Sequence, residues 1–273
     1  MGKFDGVMLF TDYDDTLYNS SHTVSRENKA AIRHFMEQGG RFSIATGRAH
    51  RTFTPQICKE GLEFNAPVVL SNGAAVYDYQ AQRYLKRTYL PDGAPQLLAQ
   101  LCAQTFPELG FEAYHQEDIY VHNPNQVTQI HLERVGAPYI QCPIQDMPTP
   151  WVKVILEQDH PYLQQVQAHL LAHWQEGYEV IFSNPYLLEV TAKGSNKGAM
   201  VAWIAQQYGI APQNLYCIGD NQNDLPMLSC SAIPFAPANC AQAVRDWGAT
   251  ILGHCDEHAV AQAIECLEAR YSG

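Results

Sequence analysis

The sequence predicts an α/β fold: a parallel-sheet core interrupted by an α+β insert. Three observations carry that prediction. Short β-branched and aromatic runs alternate with helical patterns at the start of the chain and again near its end. The stretch between them has a different rhythm, of hairpins and helices. Each run of the alternating part ends in a polar cluster, as strands of an open parallel sheet do where they meet a ligand crevice. The 273 residues leave room for two units at about 150 residues each. A composition 46% hydrophobic and 16% charged excludes disordered and fibrous architectures.

The elements follow in order. Val7–Thr11 is an apolar run of the kind that forms a strand buried on both faces. Ser25 is placed to cap a helix whose apolar stripe is Ala31, Ile32, Phe35 and Met36, and Gly39 with Gly40 ends it. Phe42–Ala45 is the next strand, a helix follows near 50–60, and Val68–Leu70 is read as a third parallel strand. Right-handed βαβ crossovers join strands of this kind. Alternation at Val76, Tyr77, Tyr79, Tyr84 and Leu85 predicts a hairpin. Helical patterns follow near 94–105 and 125–135, then a strand at Trp151–Leu156. Pro161 opens a helix carrying Leu163, Val166 and Leu170, and two strands follow at Tyr178–Phe182 and Leu187–Val190. Gly198–Tyr208 is a helix stopped by Gly209, Leu215–Ile218 a buried strand and Ala232–Phe235 a shorter one. The expected division is a core of 1–85 and 191–273 around an insert of 86–190.

Seventeen basic residues face 28 acidic ones, a net charge of −11. That balance disfavours binding to nucleic acid or an anionic membrane surface, which needs basic patches. No apolar run approaches the roughly 20 residues that span a bilayer. The opening residues read as a first strand rather than a targeting segment. Eight cysteines without a CxxC pair read as free, mostly buried thiols, so a soluble cytoplasmic protein is expected. The stretch 86–190 holds four basic and twelve acidic residues, which carries −8 of the net charge.

The polar clusters carry the chemistry. Val7–Thr11 runs into Asp12, Asp14, Asp15 and Thr16; Phe42–Ala45 into Thr46, Gly47 and Arg48; Val68–Leu70 into Ser71, Asn72 and Gly73; Leu215–Ile218 into Gly219, Asp220, Asn223 and Asp224. On an extended segment the i, i+2 spacing of Asp12 and Asp14 points both carboxylates the same way. Such a pair becomes tolerable with a divalent cation between its members or a proton on one. Asp220 from another strand end adds a third oxygen ligand, which suits magnesium. A lone DxD is more often a solvated turn, but four converging clusters outweigh that reading. Thr46 and Gly47 present a hydroxyl and an unhindered amide to a phosphate oxygen. Lys197 opens a helix, where a lysine opposes the macrodipole and therefore suggests a function. Arg48, Asn72, Lys197 and Asn223 complete the phosphate-binding candidates, and Asp224 is placed to fix the lysine.

These residues resemble a known family. The runs 10–17 (FTDYDDTL), 45–48 (ATGR), 195–200 (SNKGAM) and 219–224 (GDNQND) are similar, in order, to the four motifs of the haloacid-dehalogenase-like phosphatases. Ser71–Ala74 and the insertion resemble the Cof-type branch with its large α/β cap. The resemblance implies a Rossmann-like core with an inserted cap. It also implies hydrolysis of a small phosphorylated metabolite, such as a sugar phosphate, through an aspartyl-phosphate. In that scheme Asp12 is the nucleophile and Asp14 the proton carrier, while Thr46 and Lys197 neutralise the phosphoryl oxygens. Magnesium is held by Asp12, the Asp14 backbone carbonyl and Asp220. Two departures stand out: Asp15 where the family usually has glycine, and Pro237–Asn239 where a glycine often precedes the asparagine.

A phosphomutase shares these motifs but returns the phosphoryl group to substrate. A catalytically inactive binding protein on the same fold would be expected to have lost Asp12 or Asp14. The i, i+4 pair His169 and His173 lacks a third ligand and reads as a surface helix face. Asp256–His258 reads as a helix start, and the insert's aromatics (Phe111, Tyr114, Tyr120, Tyr139, Trp151) as its own core, with one or two of them open to face a substrate. The insert's negative balance, with Asp15, predicts a neutral or cationic leaving group.

Overall fold

Residues 2–272 are described by a computed structural model. Strand β1 (Met8–Thr11) is buried along its whole length. Ser25 caps α1 (Arg26–Glu37) by accepting the Asn28 amide, and the stripe turns Ile32 and Phe35 inward. β2 (Arg41–Ile44) returns parallel to β1, and α2 (His50–Glu60) ends on Gly61 at a left-handed φ of 60°. β3 (Val68–Leu70) leads into a hairpin of β4 (Ala75–Asp78) and β5 (Arg83–Arg87).

The insert opens with α3 (Ala94–Gln100), then β6 (Gly110–His115) and β7 (Asp118–His122), a hairpin absent from the sequence reading. α4 (Gln126–Val135) begins with a reciprocal cap between Asn125 and Thr128. β8 (Tyr139–Gln141), β9 (Lys153–Glu157), α5 (His160–Trp174), β10 (Tyr178–Asn184) and β11 (Leu187–Ala192) complete it. The chain then returns through α6 (Lys197–Gln207), β12 (Leu215–Ile218), α7 (Leu225–Leu228) and β13 (Pro234–Ala236). It closes with α8 (Gln242–Trp247), β14 (Thr250–Ile251) and α9 (Ala259–Arg270).

The core sheet has the order β14-β13-β12-β1-β2 and is parallel throughout. α1 and α9 cover one face with Ile32, Phe35, Ile264 and Leu267. α6, α7 and α8 cover the other with Val201, Ile204, Leu228 and Val244. β3 is not a full parallel strand. It meets the core sheet through one parallel bridge, Ala45 to Val69, and its ladder is antiparallel with β4. The apolar run is too short to reveal its partner, because the hairpin after it captures its edge. Thr11 is level with Ile44 and Ile218 in the central strands, so the polar clusters emerge along one edge.

The insert forms a separate sheet, β10-β11-β9-β6-β7-β8, antiparallel except between β7 and β8. Alternation turns Phe111, Ala113, Val154, Leu156 and Val190 onto the face that α3 and α5 cover. The opposite face carries Glu112, Tyr114, Lys153, Glu157 and Glu189, all buried. Four of the eight free cysteines (Cys102, Cys217, Cys240, Cys255) are buried, fewer than expected, and Cys58 and Cys266 are exposed. Among the described residues no helix is long and apolar enough to cross a membrane.

Candidate active site

A cavity of about 560 Å³ lies between the core edge and the insert sheet. Asp12, Asp14, Gly47, Arg48, Asp220 and Asn223 line it. Thr46, Asn72, Lys197 and Asp224 lie behind that lining, each 2% exposed or less. All ten candidates therefore converge, in a layer facing the cavity and a layer that holds it.

Asp12 directly continues β1, and its amide donates to the Ile218 carbonyl at 2.9 Å. Lys197 Nζ donates to Asp12 Oδ1 at 2.5 Å and to Asp224 Oδ1 at 2.6 Å. Burial pushes the Asp12 carboxyl up to about 7 against the pull of Lys197. Burial alone would lower Lys197, but the two carboxylates outweigh it and hold the ammonium above its ordinary range. Lys197 is fully buried, behind the Asp12 that lines the cavity. Asn196 starts its helix by accepting the Ala199 amide.

Asp14 is clasped by Arg48: Nε donates to Oδ2 at 2.8 Å and Nη2 to Oδ1 at 2.7 Å. Burial would raise this carboxyl, but the guanidinium outweighs it and holds Asp14 below the ordinary carboxylate range. The sequence reading grouped Arg48 with the phosphate ligands. Two of its nitrogens instead hold Asp14, while Nη1 is buried without a partner. The Tyr13 ring lies 5.4 Å from the guanidinium carbon.

The second and third clusters are knitted together. Thr46 donates its amide to the Val69 carbonyl, and its Oγ1 accepts the Arg48 amide at 3.1 Å. Asn72 sits at a left-handed φ of 52° and accepts from Asn223 Nδ2 at 3.0 Å. That leaves Asn72 Nδ2 and Asn223 Oδ1 buried without partners. Buried donors in native structures are rarely left unpaired, so Asn72 Nδ2 and Arg48 Nη1 suit an anion that has yet to bind. A Cβ on Gly47 would come within 3.3 Å of Asn72 and 3.2 Å of Glu189, so a larger residue would press on both side chains.

The fourth cluster is a carboxylate nest. Asp224 Oδ2 accepts the amides of Asp220 and Asn221 at 2.8 and 3.0 Å, so both its oxygens are engaged. Gly219 is required because a Cβ there would stand 2.4 Å from Asp224 Cγ. Asp220 accepts from Thr16 Oγ1 at 2.9 Å, a contact the sequence reading did not assign. Burial, then Asp12 and Asp224, raise the Asp220 carboxyl well above its ordinary range. Oxygens of Asp12, Asp220 and Asp224 lie within 4.8 Å of one another, with Lys197 as their cationic partner. Such an oxygen-only, charge-deficient set fits a hard divalent cation on Asp12 and Asp220.

Both departures from the expected motifs are accommodated. Asp15 adopts a left-handed φ of 60°, a conformation aspartate tolerates. Its carbonyl accepts from Asn239 Nδ2 at 2.7 Å, and Asn239 Oδ1 accepts the Cys255 amide at 2.9 Å. The Asp15 carboxylate meets Arg134 of α4 at 3.4 Å. His173 bonds to the His169 carbonyl, as a helix face without a ligand would. Of the insert's aromatics Tyr114 lines the cavity, and four residues without a sequence signal of that kind join it: His131, Arg134, Lys153 and Glu189. Lys153 Nζ donates to both the Gly47 carbonyl and Glu189 Oε2 at 2.9 Å, so the insert clamps the Thr46–Arg48 loop. The discoverable signal was helical spacing at Val127, Ile130, His131 and Arg134, with a lysine at the start of the otherwise apolar run of β9. Arg134, His131 and Lys153 also show that the insert's negative excess is not what faces the cavity, which removes the main ground for expecting a neutral or cationic leaving group.

Known proteins resemble this chain along nearly its whole length. The haloacid dehalogenase-like hydrolase profile matches residues 9–264. The 5-amino-6-(5-phospho-D-ribitylamino)uracil phosphatase YwtE of Bacillus subtilis is 25% identical over 94% of this chain and 96% of its own length. The pyridoxal phosphate phosphatase YbhA of Escherichia coli is 25% identical over 94% and 97%. A haloacid dehalogenase-like hydrolase from Bacteroides thetaiotaomicron superposes with a TM-score of 0.81 at 25% identity, covering 96% of this chain and 99% of that one. With its Asp12 and Asp220 strand ends, its Lys197 helix and its inserted cap, the chain belongs to the haloacid dehalogenase-like hydrolases, as a phosphatase of the Cof type.

Proposed function

We propose that this enzyme is a magnesium-dependent phosphatase of a small phosphorylated metabolite, working in the cytoplasm through an aspartyl-phosphate on Asp12. The observation that carries the reading is the pair of unpartnered buried donors, Arg48 Nη1 and Asn72 Nδ2, beside a carboxylate fixed by Lys197. Residues 1–85 and 191–273 form the catalytic core and 86–190 the cap that selects the leaving group. The relatives named for ribitylaminouracil and pyridoxal phosphates support a metabolite monophosphate of modest size.

In this mechanism an Asp12 oxygen attacks phosphorus as the P–O bond to the leaving group breaks, and Asp14 gives that alkoxide a proton. Water then attacks the phosphorus of the acyl phosphate, Asp14 takes its proton, and the Asp12 carboxylate leaves with inorganic phosphate as product. Thr46, Asn72 and Lys197 oppose the charge on the phosphoryl oxygens, and Lys197 also keeps Asp12 ionised. Arg48 keeps Asp14 ionised for the second step, and protonation of Asp14 for the first loosens that clasp. Magnesium on Asp12, Asp220 and the Asp14 carbonyl would supply further neutralisation of the transferring group. The test is a screen of phosphorylated metabolites for free phosphate, with and without magnesium. Phosphate release that needs magnesium supports the reading. Conversion of one phosphate ester to another without release points to a mutase instead.

A further inference from the structure

The cap carries a second cluster of ligand-type side chains that phosphoryl transfer does not use. Glu112 of β6 and Glu157 of β9 are fully buried, and they meet His131 of α4. His131 Nδ1 lies 3.0 Å from Glu112 Oε1 and 3.1 Å from Glu157 Oε1. One atom from each residue falls within 4.8 Å of the other two. The decisive feature is Glu157. Both its oxygens are buried: Oε1 has only the His131 contact at 3.1 Å, and Oε2 has no partner. An ionised carboxylate in that condition costs several kcal/mol, so a native interior neutralises it or pairs it.

We propose that Glu112, His131 and Glu157 form a cap-borne site for a first-row divalent transition cation such as zinc, manganese or cobalt. Ligand atoms about 2.1 Å from one ion stand about 3.0 to 3.4 Å apart in octahedral or tetrahedral geometry, as these nitrogen-to-oxygen separations do. An imidazole nitrogen beside carboxylates selects a transition cation over magnesium, whereas the Asp12 and Asp220 set is all oxygen. Supporting contacts are already present: Tyr114 OH donates to Glu112 Oε2 at 2.9 Å, and Asn125 Nδ2 donates to the Glu157 carbonyl at 2.8 Å. Entry is provided for, because His131 lines the substrate cavity while Glu112 and Glu157 lie behind it. Two carboxylates and a neutral imidazole balance a dication. The ion's open positions would face the cavity, where leaving-group oxygens arrive.

The test uses the full chain loaded with cobalt(II), followed by removal of free ion and measurement of bound cobalt and its visible spectrum. Two cobalt ions per chain are expected, one with the stronger absorption of a nitrogen-containing site of low coordination. Asp220→Asn should lose one ion and keep that band. Glu157→Gln and His131→Asn should each lose the band and one ion. Because Asp220→Asn leaves the cap intact, one bound ion with the band in that variant supports the site even if a cap variant fails to fold. Excess magnesium should displace only the cobalt without the band. A single ion in the parental protein, lost in Asp220→Asn, overturns the proposal, as does an unchanged band in Glu157→Gln. Either result would assign the cluster to a shared proton and leave the phosphatase reading, which is tested by phosphate release, untouched.

Discussion

Replacing Lys197 by methionine isolates the buried charge at the centre of the site. Methionine keeps most of the side chain's length, so packing in α6 changes little and the ammonium is what disappears. Lys197 Nζ holds Asp12 and Asp224 at 2.5 and 2.6 Å, and all three side chains are nearly or wholly buried. Removing one member of a buried ion pair costs about 3–5 kcal/mol, because the remaining charge is left unpaired. Here two carboxylates lose their partner and Asp220 lies within 4.8 Å of both, so the upper part of that range applies. At about 2–4 °C per kcal/mol, the melting temperature should fall by about 10 °C or more. Magnesium should return part of the loss: about 2.7 kcal/mol at one hundred times its dissociation constant. The variant should therefore gain more from magnesium than the parent, since its nest carries more uncompensated negative charge. Thermal melts of both proteins across a magnesium series measure this. A variant as stable as the parent without magnesium, or one whose gain from magnesium is no larger, would refute the charge argument.

Other perturbations probe the same geometry. Asp12→Asn removes the proposed nucleophile, so no phosphoenzyme should form and phosphate release should fall to background. Asp14→Asn should slow turnover about 10²- to 10⁴-fold, and with an activated leaving group it should accumulate a phosphoryl adduct that mass spectrometry maps to Asp12; an adduct elsewhere contradicts the covalent assignment. Gly219→Ala forces a Cβ to 2.4 Å from Asp224 Cγ, so a loss of about 1–3 kcal/mol is expected in denaturant unfolding, together with loss of activity as Lys197 shifts. Asp15→Gly removes a left-handed strain of about 1 kcal/mol and an exposed ion pair worth up to about as much. These offset, so its melting temperature should stay within about 2 °C of the parent; a larger drop would mean that Asp15–Arg134 anchors the cap.

The core was legible because each of its signals is local. Val7–Thr11 and Leu215–Ile218 are continuous apolar runs, Ser25 is an N-cap, and the polar residues that follow each run sit where strand ends must open. Even the link between Lys197 and Asp224 could be anticipated, because a lysine in a first helical turn conflicts with the macrodipole unless a carboxylate answers it. The hairpin at 110–122 was not legible. Glu112 stands on the second face of β6 and is nevertheless fully buried, and burial of a charge depends on a partner that sequence spacing does not reveal. His131 supplies that partner from α4, 19 residues further on. Arg48 shows the same limit within the motif itself, since its place beside Thr46 suggested phosphate and the fold aims two of its nitrogens at Asp14. The sequence by itself determined the strand–helix alternation of the core, the residues at the strand ends and the family they belong to, because these follow from periodicity and neighbouring residues. Which buried charge answers which, and that Lys153 of the cap grips the Gly47 carbonyl, was decided only by the tertiary structure, since those energies depend on distances between segments that the chain alone does not set.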